Sequence, residues 1–298
     1  MSAVFDVDDG MIDPVLISDG SGGGGRGRSI LLAPDVLYTY AQTDSRTIHL
    51  VNLNPRTGDA TYVTTHDAID TTWNQELSGF ALVRLGEQQL LTYFIRSYSE
   101  AISSSTYRFC AYDLTGDSLR YDLTPEALGL RPDQATSIFF GNVHDGVVAY
   151  QLGSQYAGLD PFTPKVLWTH DDIDGRLIFA NAGEYPPNAE GIAVFPSNGA
   201  APTCGIDVTT GEILWTNEEL RPNGPMSLPL DDRYTLYCDI NAVLHCVEAR
   251  TGEIRWSMAS PTVRNGRSRT NFVGYFALDG RDLYIHDPWR LYKFRISE

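Results

Sequence analysis

No run of eighteen apolar residues occurs in this chain, which excludes a membrane-spanning helix. Basic residues are scarce: 22 Lys and Arg stand against 38 Asp and Glu, for a net charge of −16. That balance opposes non-specific nucleic-acid binding and attachment to anionic lipid, because both need a basic surface. Cysteine is sparse too. The four thiols, Cys110, Cys204, Cys238 and Cys246, show no CxxC spacing, so neither a thiol metal cage nor a redox pair is expected. Most fall in predicted strands as buried free thiols, with Cys238 and Cys246 flanking one hairpin as a thiol pair. The six histidines form no HxH, HxxxH or HExxH pattern, and no Gly-x-Ser-x-Gly elbow exists. No metal and no cofactor are therefore expected. The opening residues lack the basic-then-apolar layout of a secretory signal, from which a cytoplasmic protein is expected. A long amphipathic helical period is also missing.

What the chain has instead is a repeated hairpin. The stretch from Cys204 to Trp215 reads as strand, tight turn and strand: Ile206 alternates with polar neighbours, Thr210-Gly211 supplies the turn, and Ile213-Leu214-Trp215 resumes the apolar run. Asp207 stands eight residues before Trp215, and the same spacing joins Glu248 to Trp256, Asp160 to Trp168, Asp113 to Tyr121 and Asn54 to Tyr62. A truncated sixth copy ends the chain at Leu291–Arg295. The anchors at 54, 113, 160, 207, 248 and 295 are spaced by 59, 47, 47, 41 and 47 residues. Such a period, with several short strands in each, predicts an all-β, six-bladed β-propeller of four-stranded antiparallel blades. One blade cannot bury both of its faces, so the aromatic ending each hairpin packs between neighbours; Trp168, Trp215 and Trp256 are assigned to that role.

A single domain over 1–298 is expected. Residues 1–19 hold an apolar stretch, 20–28 form a Gly-rich linker, and 29–298 carry the blades. The first blade is placed at Ser29–Leu32, Val36–Tyr40, Ile48–Asn54 and Ala60–Thr64. The second runs from Ser78 to Thr124 with a Ser-rich insertion at Ser97–Thr106, a candidate contact loop. The third spans Thr136–His170, the fourth Leu177–Asn217 and the fifth Met226–Ala259. The sixth supplies only three strands, near Asn271–Leu278, Asp282–His286 and Leu291–Ile296. An open ring would leave strand edges unpaired. The stretch Val15–Ser18 is expected to complete the last blade; a ring of seven blades is the rival.

The pattern Ile/Val-Asp/Glu-x-x-Thr-Gly-x-x-x-Trp, carried by Ile206–Trp215 and Val247–Trp256 with variants at Leu159–Trp168, Tyr112–Tyr121 and Leu53–Tyr62, resembles the pyrroloquinoline-quinone-type propeller repeat. The resemblance implies the fold and no single activity. Quinone-dependent alcohol dehydrogenases of that superfamily have eight blades, calcium, the quinone and an adjacent cysteine pair. This chain has six copies and no adjacent cysteines. The outer-membrane assembly lipoprotein of the same fold carries a lipidated Cys after its signal peptide, and no Cys lies near this N-terminus.

In such a ring, loops from every blade converge on one mouth of the central channel. The polar approaches to the inner strands offer Arg28, Trp73, Gln75, Arg176, Arg269 and Asn271 as ligand-binding candidates. Arg side chains there suit a carboxylate or phosphate, and Arg264–Arg269 is the least ordinary stretch. His66 and His170 follow outer strands in equivalent places and are the acid–base candidates. The leading expectation is a non-catalytic binding module or scaffold that holds a protein partner. The alternative is an enzyme of the lyase, cyclase or isomerase type acting on an anionic small molecule at the channel mouth.

Overall fold

Turn chemistry explains why an Asp or Asn stands at four of the six anchors. In the computed structural model Asn54 Oδ1 accepts hydrogen bonds from the backbone N–H groups of Arg56 and Thr57. Asp113 does so from Thr115 and Gly116, Asp160 from Phe162 and Thr163, and Asp207 from Thr209 and Thr210. A short carboxylate or amide caps the turn and leaves the flanking strands free to pair. Four residues after its anchor, Gly58, Gly211 or Gly252 takes φ between +75° and +77° and closes the turn by donating to the anchor's carbonyl.

The structure describes residues 2–4, 15–17, 30–33, 35–44, 46–68, 73–99, 104–130, 138–152, 155–170, 190–195, 203–220, 222–239, 243–259, 276–279, 282–286 and 291–295. Among them, strands β1 (Ser2–Val4) and β2 (Val15–Ile17) form a two-stranded sheet. Six larger sheets follow in chain order. Sheet I holds β3 (Ile30–Ala33), β4 (Val36–Asp44), β5 (Thr47–Leu53) and β6 (Ala60–Asp67). Sheet II holds β7 (Asn74–Leu85), β8 (Gln88–Ser99), β9 (Ser104–Asp113) and β10 (Ser118–Leu123). Sheet III holds β11 (Ile138–His144), β12 (Val147–Leu152), β13 (Gln155–Asp160) and β14 (Lys165–His170). Sheet IV contains β15 (Ile192–Phe195), β16 (Thr203–Asp207) and β17 (Ile213–Asn217). Sheet V contains β18 (Pro222–Pro229), β19 (Tyr234–Asp239), β20 (Val243–Glu248) and β21 (Ile254–Ala259). Sheet VI contains β22 (Phe276–Asp279), β23 (Asp282–His286) and β24 (Leu291–Arg295). Within each sheet, neighbours in space are neighbours in sequence. One 3-10 turn, Glu126–Leu128, is the only helix among the described residues.

Two compact units are formed, Met1–Phe140 with Asp160–Val166, and Gly141–Leu159 with Leu167–Glu298. In the first, the core lies between sheets I and II. Ile48 and Leu50 of β5 pack with Leu91, Tyr93 and Ile95 of β8 and with Cys110 and Tyr112 of β9. In the second, the aromatic that ends one sheet's last hairpin packs on the turn of the next. The Trp168 indole donates to Val208 O (3.1 Å) and lies over Gly211. Trp215 donates to Ala249 O (2.7 Å) and lies over Gly252. Each indole also covers a glycine of its own sheet, Gly158 or Gly205, where a Cβ would meet the ring. The same contact in the first unit is made by Tyr121, whose hydroxyl donates to Pro161 O (2.6 Å). The expected packing role of the hairpin aromatics is therefore observed for Tyr121, Trp168 and Trp215.

The stretch proposed to close the last blade is a strand, β2, whose registered partner among the described residues is β1 (Ala3↔Leu16). One expectation is corrected: the Ser-rich insertion is not a loop excursion. Ser97↔Thr106, Tyr98↔Ser105 and Ser99↔Ser104 pair in register, so it lengthens the β8–β9 hairpin. The Gly-rich linker at 20–28 and the expected start of the fourth blade at Leu177 lie outside the described residues.

Candidate functional site

Register places the site. In sheet II, Tyr93 of β8 is opposite Cys110 of β9, and Cys110 is opposite Asp122 of β10. Cross-strand partners project to the same face, so the three form one row on the face that packs against sheet I. Arg108, two residues before Cys110, lies on that face as well. From sheet I, His66 of β6 pairs with Ile48, whose side chain is in the same inter-sheet core. The imidazole thereby enters the row, and the five side chains meet between the sheets.

The cluster is largely closed off. His66 is 4 % exposed and Cys110 wholly buried, while Asp122 and Arg108 keep about a quarter of their side chains accessible. His66 Nε2 and the Tyr93 hydroxyl are 2.9 Å apart in a buried hydrogen bond, and His66 Nδ1 faces Asp122 Oδ2 at 3.6 Å. Arg108 Nη1 donates to the same Asp122 oxygen at 2.8 Å. Burial alone would raise the Asp122 carboxyl, but hydrogen bonding from His66 and the charge on Arg108 outweigh it and hold the group below its ordinary value. Burial, reinforced by Asp122, pushes the Cys110 thiol well up, and Tyr93 rises mainly through burial. At neutral pH the row therefore reads phenol, thiol, carboxylate, with a guanidinium on the carboxylate. Asp122 Oδ1 and Arg108 Nε and Nη2 are buried without a hydrogen-bond partner among the described residues. An imidazole nitrogen, the thiol sulfur and a carboxylate oxygen lie within 4.8 Å of one another, the kind of donor set that holds a metal ion.

The candidates named from the sequence are scattered. His66 belongs to this cluster. His170, at the end of β14, hydrogen-bonds the carbonyl of Gly211 and lies beside the Trp168 ring. Gln75 is buried at 2 % exposure, and its Nε2 donates to Asp67 O (2.9 Å). Trp73 is half-buried. Arg28, Arg176, Arg269 and Asn271 lie outside the described residues. Sequence reasoning missed Tyr93, Arg108, Cys110 and Asp122, although one signal was present. The residue after each hairpin aromatic is Val63, Thr169, Thr216 or Ser257 in the other copies, and Asp122 alone puts a charge there.

The chain matches the family described as outer membrane protein assembly factor BamB over residues 68–258 and 203–282. It belongs to that family. Similar solved structures include BamB from Moraxella catarrhalis, at 14% identity over 84% of this chain and 78% of that one, with a TM-score of 0.40. Another is the β-propeller domain of Cps50 (Swd1) from Myceliophteria thermophila, at 11% identity over 88% and 79%, TM-score 0.49. A third is the WD40 β-propeller domain of Doa1, at 10% identity over 92% and 84%, TM-score 0.45. No curated protein matches the chain. Within this BamB-family chain the repeat shapes every sheet, and the charged row in sheet II departs from it.

Proposed function

We propose that the chain is a non-catalytic scaffold: a six-bladed propeller, its blades the six sheets, that holds a protein partner through its loops. The observation that carries this reading is membership of a family described as an assembly factor, over residues 68–282. The lengthened β8–β9 hairpin supports it as a contact element. Arg96 of β8 bonds Glu76 (2.9 Å) and the Ser105 hydroxyl (3.2 Å) and lies over the Tyr98 ring at 5.2 Å. A hairpin held in this way has little ordering entropy left to lose on binding. The alternative, an enzyme of the lyase, cyclase or isomerase type, draws on His66 and His170, and both imidazoles are engaged in internal hydrogen bonds.

Capture with the full chain from extract of its source, followed by cross-linking mass spectrometry, tests the proposal. A stoichiometric protein cross-linked within 96–105 is expected. Its loss is expected when 98–105 is replaced by an Asn-Gly turn and circular dichroism is unchanged. Undiminished capture by the shortened chain, no stoichiometric partner, or turnover of a small anionic metabolite by the purified protein would overturn it.

A further inference from the structure

We propose that His66, Cys110 and Asp122 bind one divalent cation of the zinc class, which ties sheet I to sheet II. The donor set decides the class. Thiolate and imidazole favour zinc and its borderline neighbours, whereas magnesium and calcium take oxygen ligands almost exclusively. The spacing is suitable. Ligand atoms about 2.1 Å from a tetrahedral ion stand roughly 3.4 Å apart, and His66 Nδ1 is 3.6 Å from Asp122 Oδ2. All three donors fall within 4.8 Å, so contraction by about an ångström, within side-chain reach, brings them to one centre.

The surroundings have the arrangement that metal ligands require. An imidazole that coordinates through one nitrogen is oriented by a hydrogen bond at the other. Here Nδ1 faces the donors and Nε2 bonds the Tyr93 hydroxyl at 2.9 Å. A ligating carboxylate is likewise hydrogen-bonded. Arg108 Nη1 donates at 2.8 Å to Asp122 Oδ2, the oxygen that faces His66 Nδ1. Coordination removes the Cys110 proton to solvent, so the ion meets one thiolate, one carboxylate and one neutral imidazole. Three protein ligands complete three corners of a tetrahedron. Because His66 comes from β6 and the other two from β9 and β10, the ion joins consecutive sheets.

The full chain, stripped by chelator and dialysed against zinc, should retain one equivalent by elemental analysis. X-ray absorption at the zinc edge should show one sulfur at about 2.3 Å among lighter ligands at about 2.0–2.1 Å. Cys110→Ser and His66→Gln should each weaken binding at least about a hundredfold, and Tyr93→Phe by about tenfold, as for an outer partner of a ligating histidine. Zinc should raise the thermal midpoint of the wild type and leave that of Cys110→Ser unmoved. If the variants fail to fold, the absorption spectrum of the wild type decides. No saturable equivalent, no sulfur neighbour, or undiminished uptake by a folded Cys110→Ser chain overturns the proposal.

Discussion

Replacing Gly211 by Ala tests the packing between sheets IV and III directly. Gly211 has φ +75°, and a Cβ there would stand 2.6 and 2.8 Å from Cγ and Cε3 of the Trp168 indole. Two costs follow. Left-handed backbone without glycine costs about 1–2 kcal/mol. Expelling the indole forfeits packing worth up to about 3–5 kcal/mol, the usual loss for a deleted buried Trp, and its bond to Val208 O, worth about 1 kcal/mol. Partial relaxation trims that sum, so Gly211→Ala should cost about 3–5 kcal/mol. With Trp168→Ala already in place only the backbone cost of about 1–2 kcal/mol should remain. The cycle therefore has a coupling energy of about 2 kcal/mol or more. Urea unfolding followed by far-ultraviolet circular dichroism measures it, with the midpoints compared at a common slope. Gly58→Ala is the control: its φ is +77° with no atom within 4 Å of the added Cβ, so about 1–2 kcal/mol is expected. Additivity of the two substitutions within about 0.5 kcal/mol, or equal costs at Gly58 and Gly211, would refute the reasoning.

Tyr121→Phe removes the donor to Pro161 O and should cost about 1 kcal/mol by urea unfolding; a neutral result would show that this bond contributes nothing. Asp282 is held down to about 2 by hydrogen bonds from Arg295 and then Lys293, against its ordinary 3.8. Because the folded value is the lower, its contribution is present above about pH 4 and fades as pH falls through about 2. The gap in thermal midpoint between the wild type and Asp282→Asn should shrink over that window, and a constant gap would contradict the assignment. Burial pushes Cys204 up to about 12 and, with help from Asp231, Cys246 to about 11. At pH 8 iodoacetamide should leave both unmodified in the native chain and label them in urea; native labelling at the unfolded rate would show that neither is enclosed.

The hairpins were legible because each is a local event. Asp207, Thr210, Gly211 and Trp215 lie within nine residues, and their types follow from a turn cap, a positive φ and a slot for an indole. What escaped was set by contacts between sheets. Nothing near His66 in sequence points to Tyr93 or Asp122; the register of β8, β9 and β10 and the packing of sheet I bring them together. The Ser-rich insertion misled for a related reason. Serine runs suggest loops by propensity, yet Ser97 and Ser99 are buried on a hairpin held by its neighbours. In strands, tertiary context outweighs propensity. The pairing of β2 with β1 is a third case: apolar alternation marks a strand but does not name its partner.

Sheet II breaks the repeat three times. Its turn uses Asp117 at φ 49° where three other copies use glycine, and the Asp117 carboxylate accepts the Tyr112 hydroxyl at 2.6 Å. Its middle hairpin is lengthened, and Asp122 follows its aromatic. A repeat selected only for stacking has no use for such substitutions, since a left-handed aspartate and a part-buried carboxylate each cost stability unless partnered. Both carboxylates have partners, Tyr112 for one and Arg108 for the other, so the sequence compensates each departure locally. These departures include the features on which the two proposals rest: the hairpin and, with His66 of sheet I, the Cys110–Asp122 row. The first can be shortened and the second neutralised without touching the glycine and tryptophan contacts that hold the other sheets.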